Sequence, residues 1–150
     1  MNQNFFHHRN RADLTDAAKQ DYMVVVPLAA TEQHGDHLPV YTDTLICEHI
    51  VTNAIDKASS SVPILMAPIL PIGCSEHHLD YGGTVSLSTL TYLQVLKDIG
   101  TSLITDGFKK IVFLNAHGGN ANIMKQTAND LAVKYPVWTA TASYWDIAGR

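Results

Sequence analysis

The sequence predicts an α/β fold, a mostly parallel sheet with helices on both faces. Three observations carry that reading. Four apolar runs read as buried strands: MVVVPL at 23–28, ILMAPIL at 64–70, IVFLN at 111–115 and VWTATASYW at 137–145. The segments between them repeat their apolar residues at helical spacing. Each of the first three runs opens into a loop rich in Gly, Pro, His or Asn before the next helix. Such βαβ units have right-handed crossovers and parallel strands.

In chain order, residues 1–12 read as a polar, loosely ordered lead-in. Residues 13–21 suit a short helix with Asp13 or Thr15 near its start. After the first strand, 29–42 form a loop. The pattern turns helical from Asp43 to about Ala58, with Leu45, Ile46, His49, Ile50, Ala54 and Ile55 on one face and Asp43 at the N-cap. SSSVP closes that helix. The second strand leads into the long loop PIGCSEHHLDYGGTVSL. Ser88 caps the next helix, whose buried stripe is Leu93, Leu96, Ile99 and Leu103, and Gly107 stops it. The third strand opens into NAHGGNAN. A further helix sets Met124, Ala128, Leu131 and Tyr135 on one side, and Pro136 ends it. TASYWDIAGR then runs off the fourth strand with no closing helix, so another chain or further sequence is expected to cover an apolar edge.

The length of 150 residues fits one domain over 1–150, and 46% hydrophobic residues support a packed core. A net charge of −4 supplies no basic footprint for nucleic acid. No apolar run is long enough to span a membrane, and the first residues lack the apolar stretch of a secretory signal. Cys47 and Cys74 stand apart with no CxxC and read as reduced thiols, which makes the cytoplasm the expected location. Histidine is abundant, and His34, His37, His77, His78 and His117 all lie beside loop signals.

In a parallel sheet, loops that follow strands emerge at the carboxyl edge, where ligands bind. The three histidine-bearing loops therefore share one edge. Glu32 and His34 are two apart, so in an extended segment both project to one side while Gln33 faces away. Asp43, at a helix start, occupies a place that favours an anion, and a carboxylate there can bridge two cations. His117 follows the third strand directly. Two carboxylates and two imidazoles suit a divalent transition metal, Zn, Mn or Fe. A bridging Asp fits two ions better than one, and ions about 3.5–4 Å apart can activate a water between them. Each residue taken singly has a plainer reading: a polar loop histidine, a helix-capping aspartate, a glycine turn. His7, His8 and His49 take that reading, and His37 that of a hydrogen bond orienting its loop. Glu76, His77 and His78 face the pocket from the second loop, where they contact substrate or order a neighbouring subunit; an exposed polar loop is the alternative. The backbone of Gly118 and Gly119, leading into a helix, suits an anionic group or an oxyanion. Cys74 reads as packing, and Trp138 and Trp145 as core or interface.

The segments VVVPLAATEQHGDHLPVYTD, GCSEHHLDYGGTVSL and IVFLNAHGGNAN, in this order and spacing, resemble the signature segments of the creatininase (creatinine amidohydrolase) family. The resemblance covers about residues 13–145. It implies a creatininase-like three-layer sandwich with two divalent metal ions. Glu32, Asp43 and His117 would hold one ion, and His34 with the bridging Asp43 the other. It also implies hydrolysis of a C–N bond in a small-molecule amide, often a cyclic amide or formamide, by a metal-activated hydroxide. The implied assembly is a homo-oligomer, commonly a hexamer.

The chain departs from the family pattern in several places. It is shorter than the usual member. In creatininase proper a further Glu for the second ion stands two residues after the His matching His117, where this chain has Gly119. In the HGGN-type members, which it resembles more, that Glu comes from a HAGE-like segment absent from this sequence. The second ion's ligand set is therefore expected to be incomplete, with the catalytic His beyond the chain end. No general acid for the leaving nitrogen is visible. The family's FPGT becomes YGGT at 81–84, where Gly82 loosens the loop. Asp36 adds charge where Pro is frequent, and Ala116 keeps a small residue in place of Gly. Three functions remain open: a di-metal amidohydrolase of which this is the N-terminal part, a catalytically incompetent metal-binding relative, and an anion-binding α/β module.

Overall fold

A computed structural model describes residues 3–147 of the chain. Residues 1 and 2 of the lead-in, and 148–150 of the final run, lie outside the described residues. Four strands, β1 (Met23–Leu28), β2 (Ile64–Met66), β3 (Lys110–Asn115) and β4 (Trp138–Ser143), form a wholly parallel sheet in the order β2-β1-β3-β4. The helices are α1 (Arg11–Lys19), α2 (Thr42–Ala58), α3 (Thr89–Thr105), α4 (Ala121–Lys134) and the single turn α5 (Tyr144–Ile147). Short 3-10 turns occupy Phe6–His8, Glu76–Tyr81 and Gly118–Asn120.

The sheet has a core on each face, as the α/β reading requires. On one side Val24, Val26, Leu28, Ile111 and Phe113 meet Leu96, Leu103, Met124 and Leu131 from α3 and α4. On the other, Val25 and Met66 meet Cys47, Val51 and Ile55 from α2. This explains the unbroken apolar run of β1, whose two faces are both covered. From β1 the chain passes to one side to form β2, then crosses to the other to form β3. The loops after β1 and β3 therefore part at a switch point, where parallel sheets bind ligands.

Several expectations are corrected. The lead-in is ordered: Phe5 bridges to Met66, and the Phe6 ring lies 6.0 Å from that of Phe108. Its aromatic pair outweighs its polar neighbours. Helix α1 begins at Arg11 because the Asn10 side chain accepts from the Asp13 N–H at 3.0 Å. Strand β2 is short, since Pro68 and Pro71 interrupt the ladder and the run resumes only as a bridge between Leu28 and Leu70. The N-cap of α2 is Tyr41, which puts Asp43 inside the first turn. The buried stripe of α2 is Asp43, Thr44, Cys47, Val51 and Ile55, while Leu45 is 50% exposed and His49 is exposed. Two polar members at its start disguise that stripe. Strand β4 ends at Ser143 and turns into α5, a turn of helix not foreseen, and Trp138 and Trp145 are exposed rather than core. The Ser88 cap of α3 and the positive φ of Gly107 after it are as expected. Among the described residues no helix is long and apolar enough to cross a membrane.

Candidate metal centre

Three loops meet at the carboxyl edge, and buried side chains tie them together. Asn120, fully buried at the end of the third loop, accepts from the Cys74 N–H and donates to the Ala29 carbonyl, each at 3.0 Å. One amide thus links the loops after β1, β2 and β3. Thr44 Oγ1 donates to Ala30 O at 2.9 Å and fixes the start of α2 against the first loop. Asn115, the last residue of β3, accepts from the His117 N–H at 3.0 Å and donates to the His117 carbonyl at 2.7 Å. Both backbone groups of a buried turn are thereby satisfied.

Glu32, Asp43 and His117 are each buried, and one ligand atom from each lies within 4.8 Å of the others. His117 Nδ1 is 2.9 Å from Asp43 Oδ2 and 3.3 Å from Glu32 Oε1. Its Nε2 is 3.1 Å from both the Cys74 carbonyl and Ser75 Oγ. A carbonyl only accepts, so Nε2 carries the hydrogen and Nδ1 presents its lone pair to a cation. Without an ion, both nitrogens face acceptors. Burial pulls the His117 pKa down, but the Asp43 hydrogen bond, the Cys74 carbonyl and the charges of Glu32 and Asp43 outweigh it, and the net shift is upward. On the other side of Asp43, His34 Nε2 is 3.1 Å from Oδ1 while its Nδ1 is 3.1 Å from the Glu32 carbonyl. Glu32 Oε2 is buried with no hydrogen-bond partner among the described residues. Acceptors exceed donors here, and two carboxylates with an imidazole are ordinary ligands of a divalent ion. The residues fit a metal.

The expected site residues divide. Glu32, Asp43 and His117 come together, and His34 adjoins Asp43. His78 approaches Glu32, with Nε2 4.0 Å from Oε2, and His77 lies beside it. Glu76 turns instead to the start of α3, where it accepts from the Thr89 N–H at 3.3 Å. His37 is exposed and makes no hydrogen bond among the described residues, so it does not orient its loop. Gln33, expected to face away, reaches His78 Nδ1 at 2.8 Å. A Cβ on Gly118 would meet nothing, whereas one on Gly119 would sit 2.0 Å from the Cys74 carbonyl oxygen. Gly119 is thus a close approach between two loops. Burial first, then the charges of Asp43 and Glu48, push the Cys47 thiol up to about 12, and its Sγ faces the core, donating to the Leu28 carbonyl at 3.9 Å. Sequence reasoning missed Ser75, Asn115 and Asn120, and missed that Cys74 acts through its carbonyl. An Asn closing a buried strand two residues before a His was the one legible signal.

Comparison with known proteins bears on the family and the fold. The family model of creatinine amidohydrolase matches residues 7–149. A mycofactocin precursor peptide peptidase from Mycobacterium tuberculosis (strain CDC 1551 / Oshkosh) is 36% identical over 107 residues, covering 67% of this chain and 42% of that protein. A creatinine amidohydrolase from Pseudomonas putida is 26% identical over 141 residues, covering 86% and 52%. This chain therefore spans about half or less of the length of those curated relatives. Among solved structures, a manganese creatininase superposes with a TM-score of 0.86 at 23% identity, covering 97% of this chain and 60% of that one. Such a likeness shows the three-layer fold alone; the family match over nearly the whole sequence shows more, and the chain belongs to the creatininase family.

Proposed function

We propose that this chain carries the metal centre of a metal-dependent amidohydrolase that cleaves the C–N bond of a small amide, a cyclic amide or a formamide. The observation behind this reading is the convergence of Glu32, Asp43 and His117, from three separate elements, on one buried point at the sheet's carboxyl edge. A divalent ion held there, zinc or manganese after the forms in which creatininases have been solved, would polarise a carbonyl and lower the pKa of a water. The chain's own residues hold and orient. Asp43 spreads its two oxygens between His117 and His34. The Cys74 carbonyl sets the His117 tautomer, and Asn115 fixes its backbone. Gly118, open where a side chain would project, leaves room for substrate next to His117, with the Gly118–Gly119 backbone beside it. The peptidase relative adds a peptide amide to the substrates worth testing.

The anion-binding alternative is disfavoured, because the Cys74 carbonyl packs over Gly119 where an anion would need donors. Two free, buried cysteines support a reducing, cytoplasmic location. Exposed Leu45, Tyr81 and Leu90 support assembly into a homo-oligomer. The test is metal content per chain by elemental analysis for wild type and Asp43→Ala, with circular dichroism to confirm folding. At least one ion per wild-type chain, lost in the variant, is expected; metal-free wild type after purification in zinc or manganese overturns the reading. A screen of cyclic amides, formamides and peptides follows.

A further inference from the structure

We propose that this chain holds a second divalent cation on the far side of Glu32, between Glu32 Oε2 and the imidazoles of His77 and His78. The proposal rests on reading Glu32, Asp43 and His117 as the first metal position. It gives His77 and His78 a ligand role in place of contact with substrate.

The Glu32 carboxylate faces two ways. Oε1 lies 3.3 Å from His117 Nδ1, and Oε2 lies 4.0 Å from His78 Nε2. Glu32 is only 6% exposed, and Oε2 has no hydrogen-bond partner among the described residues. A buried carboxylate oxygen in that condition is costly unless a cation reaches it. The 4.0 Å gap is too long for a hydrogen bond. It is within twice the metal–ligand distance of about 2.0–2.1 Å, so one ion can touch both atoms. Glu32, His77 and His78 each offer a ligand atom, all within 4.8 Å of one another. The His77 and His78 ring centroids are 4.3 Å apart, and the His77 ring lies nearly parallel to that of His117 with centroids 6.4 Å apart. The second loop therefore brings its imidazoles alongside the first position.

On the opposite side of the centre the described residues offer fewer ligands. The His34–Asp43 pair has no third ligand among the described residues. Position 119, from which one could come, is a glycine whose Cβ would meet the Cys74 carbonyl at 2.0 Å. The loop that closes that route is the one that carries His77 and His78. Two imidazoles and one carboxylate suit zinc and leave a coordination position open, as in catalytic rather than structural sites.

The tautomer of His78 adds a requirement. Gln33 Oε1 accepts from the Gly35 N–H at 3.0 Å, so its amide nitrogen points at His78 Nδ1 and leaves the ring hydrogen on Nε2. A metal on Nε2 needs that hydrogen on Nδ1, so the Gln33 amide must turn its oxygen to the ring on loading. Gly35 is exposed, and water can take over its N–H.

The experiment titrates the metal-free full chain with Zn²⁺ alone and counts ions retained against a chelator of micromolar affinity. That threshold leaves out the exposed His7–His8 pair. Wild type is expected to hold two ions, the His77→Ala/His78→Ala double variant one, and His34→Ala two at saturation. His78→Gln, which keeps a polar side chain in the loop, is expected to weaken only the second ion, by 100-fold or more. Circular dichroism melts confirm that each variant is folded. Two ions in the double variant, or a loss of one ion in His34→Ala with none lost in the double variant, overturns the proposal. One ion in wild type, lost in Asp43→Ala, overturns it while leaving the first metal position standing. No ion in wild type overturns both.

Discussion

The carboxyl edge of the sheet and the core beneath α3 each contain a buried polar atom without a partner, Glu32 Oε2 in the first and Tyr92 Oη in the second. The two differ in their surroundings. Around Glu32 stand His78, His117 and Asp43, a set that a cation would satisfy. Around Tyr92 stand the apolar side chains of the main core, and its phenol is pushed far up by burial first, with smaller electrostatic contributions from Cys74 and Cys47. An orphan among ligands marks a place for something to bind. An orphan among hydrocarbons marks a stability cost.

Replacing the first orphan should give the largest effect. Glu32→Gln removes a charge that faces both sides of the centre. Zinc affinity should fall by well over the roughly 10–100-fold expected for loss of an outer-shell partner. A competition titration against a chromophoric chelator measures it. An affinity within threefold of wild type would break the contrast with Tyr92, because Glu32 would then be only a buried acid.

Asn115→Ala comes next. It touches no ion, yet it strips partners from the buried N–H and C=O of His117. A loss of about 2–3 kcal/mol in urea unfolding is expected, together with roughly 10–100-fold in zinc affinity as the ligand loses its fixed orientation. Unchanged stability with weakened zinc binding would instead place Asn115 in direct contact with the ion.

His117 gives the contrast a pH dependence. In the ion-free chain its folded pKa is raised above the ordinary 6.5, despite the opposing pull of burial. Its contribution to stability is therefore full below about pH 6.5 and is lost as pH rises through the elevated folded value. Zinc reverses the sign. Binding displaces the Nδ1 proton, so the stabilisation by metal grows as pH rises. Melting temperatures between pH 5.5 and 9, with chelator and with zinc, should diverge toward alkaline pH. Parallel curves would mean that zinc does not use His117, and His117→Gln should flatten the chelator curve.

Most of this edge could be read in the sequence because its signals are local. Strands β1 and β3 show as apolar runs, and a His or Glu just after such a run lands at the carboxyl edge whatever the rest does. The Ser88 cap needs only its own helix. What could not be read is how the ligands are held. The Cys74 carbonyl that sets His117 carries no side-chain signature, and Asn120 joins loops far apart in sequence. The buried stripe of α2 was hidden for a related reason. Asp43 and Thr44 are buried because the centre and Ala30 need them there, while apolar Leu45 faces out. Polar pairing of Asp43 with His34 and His117, and of Thr44 with Ala30, overrides the hydrophobic pattern at that end of the helix, and the pattern returns at Cys47, Val51 and Ile55.

The smallest predicted effect tests the second orphan. Tyr92→Phe removes a hydroxyl that is fully buried and unpaired and keeps the ring that α3 packs into the core. The hydroxyl lost its water on folding and gained nothing in exchange, so its removal should stabilise the chain by about 1 kcal/mol, or roughly 3 °C in melting temperature for a domain of this size. The void of one oxygen atom works against this, but only weakly, because the apolar lining can close over it. Zinc affinity should stay unchanged, since the phenol lies in the core and the candidate metal centre at the sheet edge. A destabilised Tyr92→Phe would show that the hydroxyl has a buried water for a partner. Both orphan atoms would then be ligand-seeking, and the contrast between the two regions would rest on which ligand each one takes.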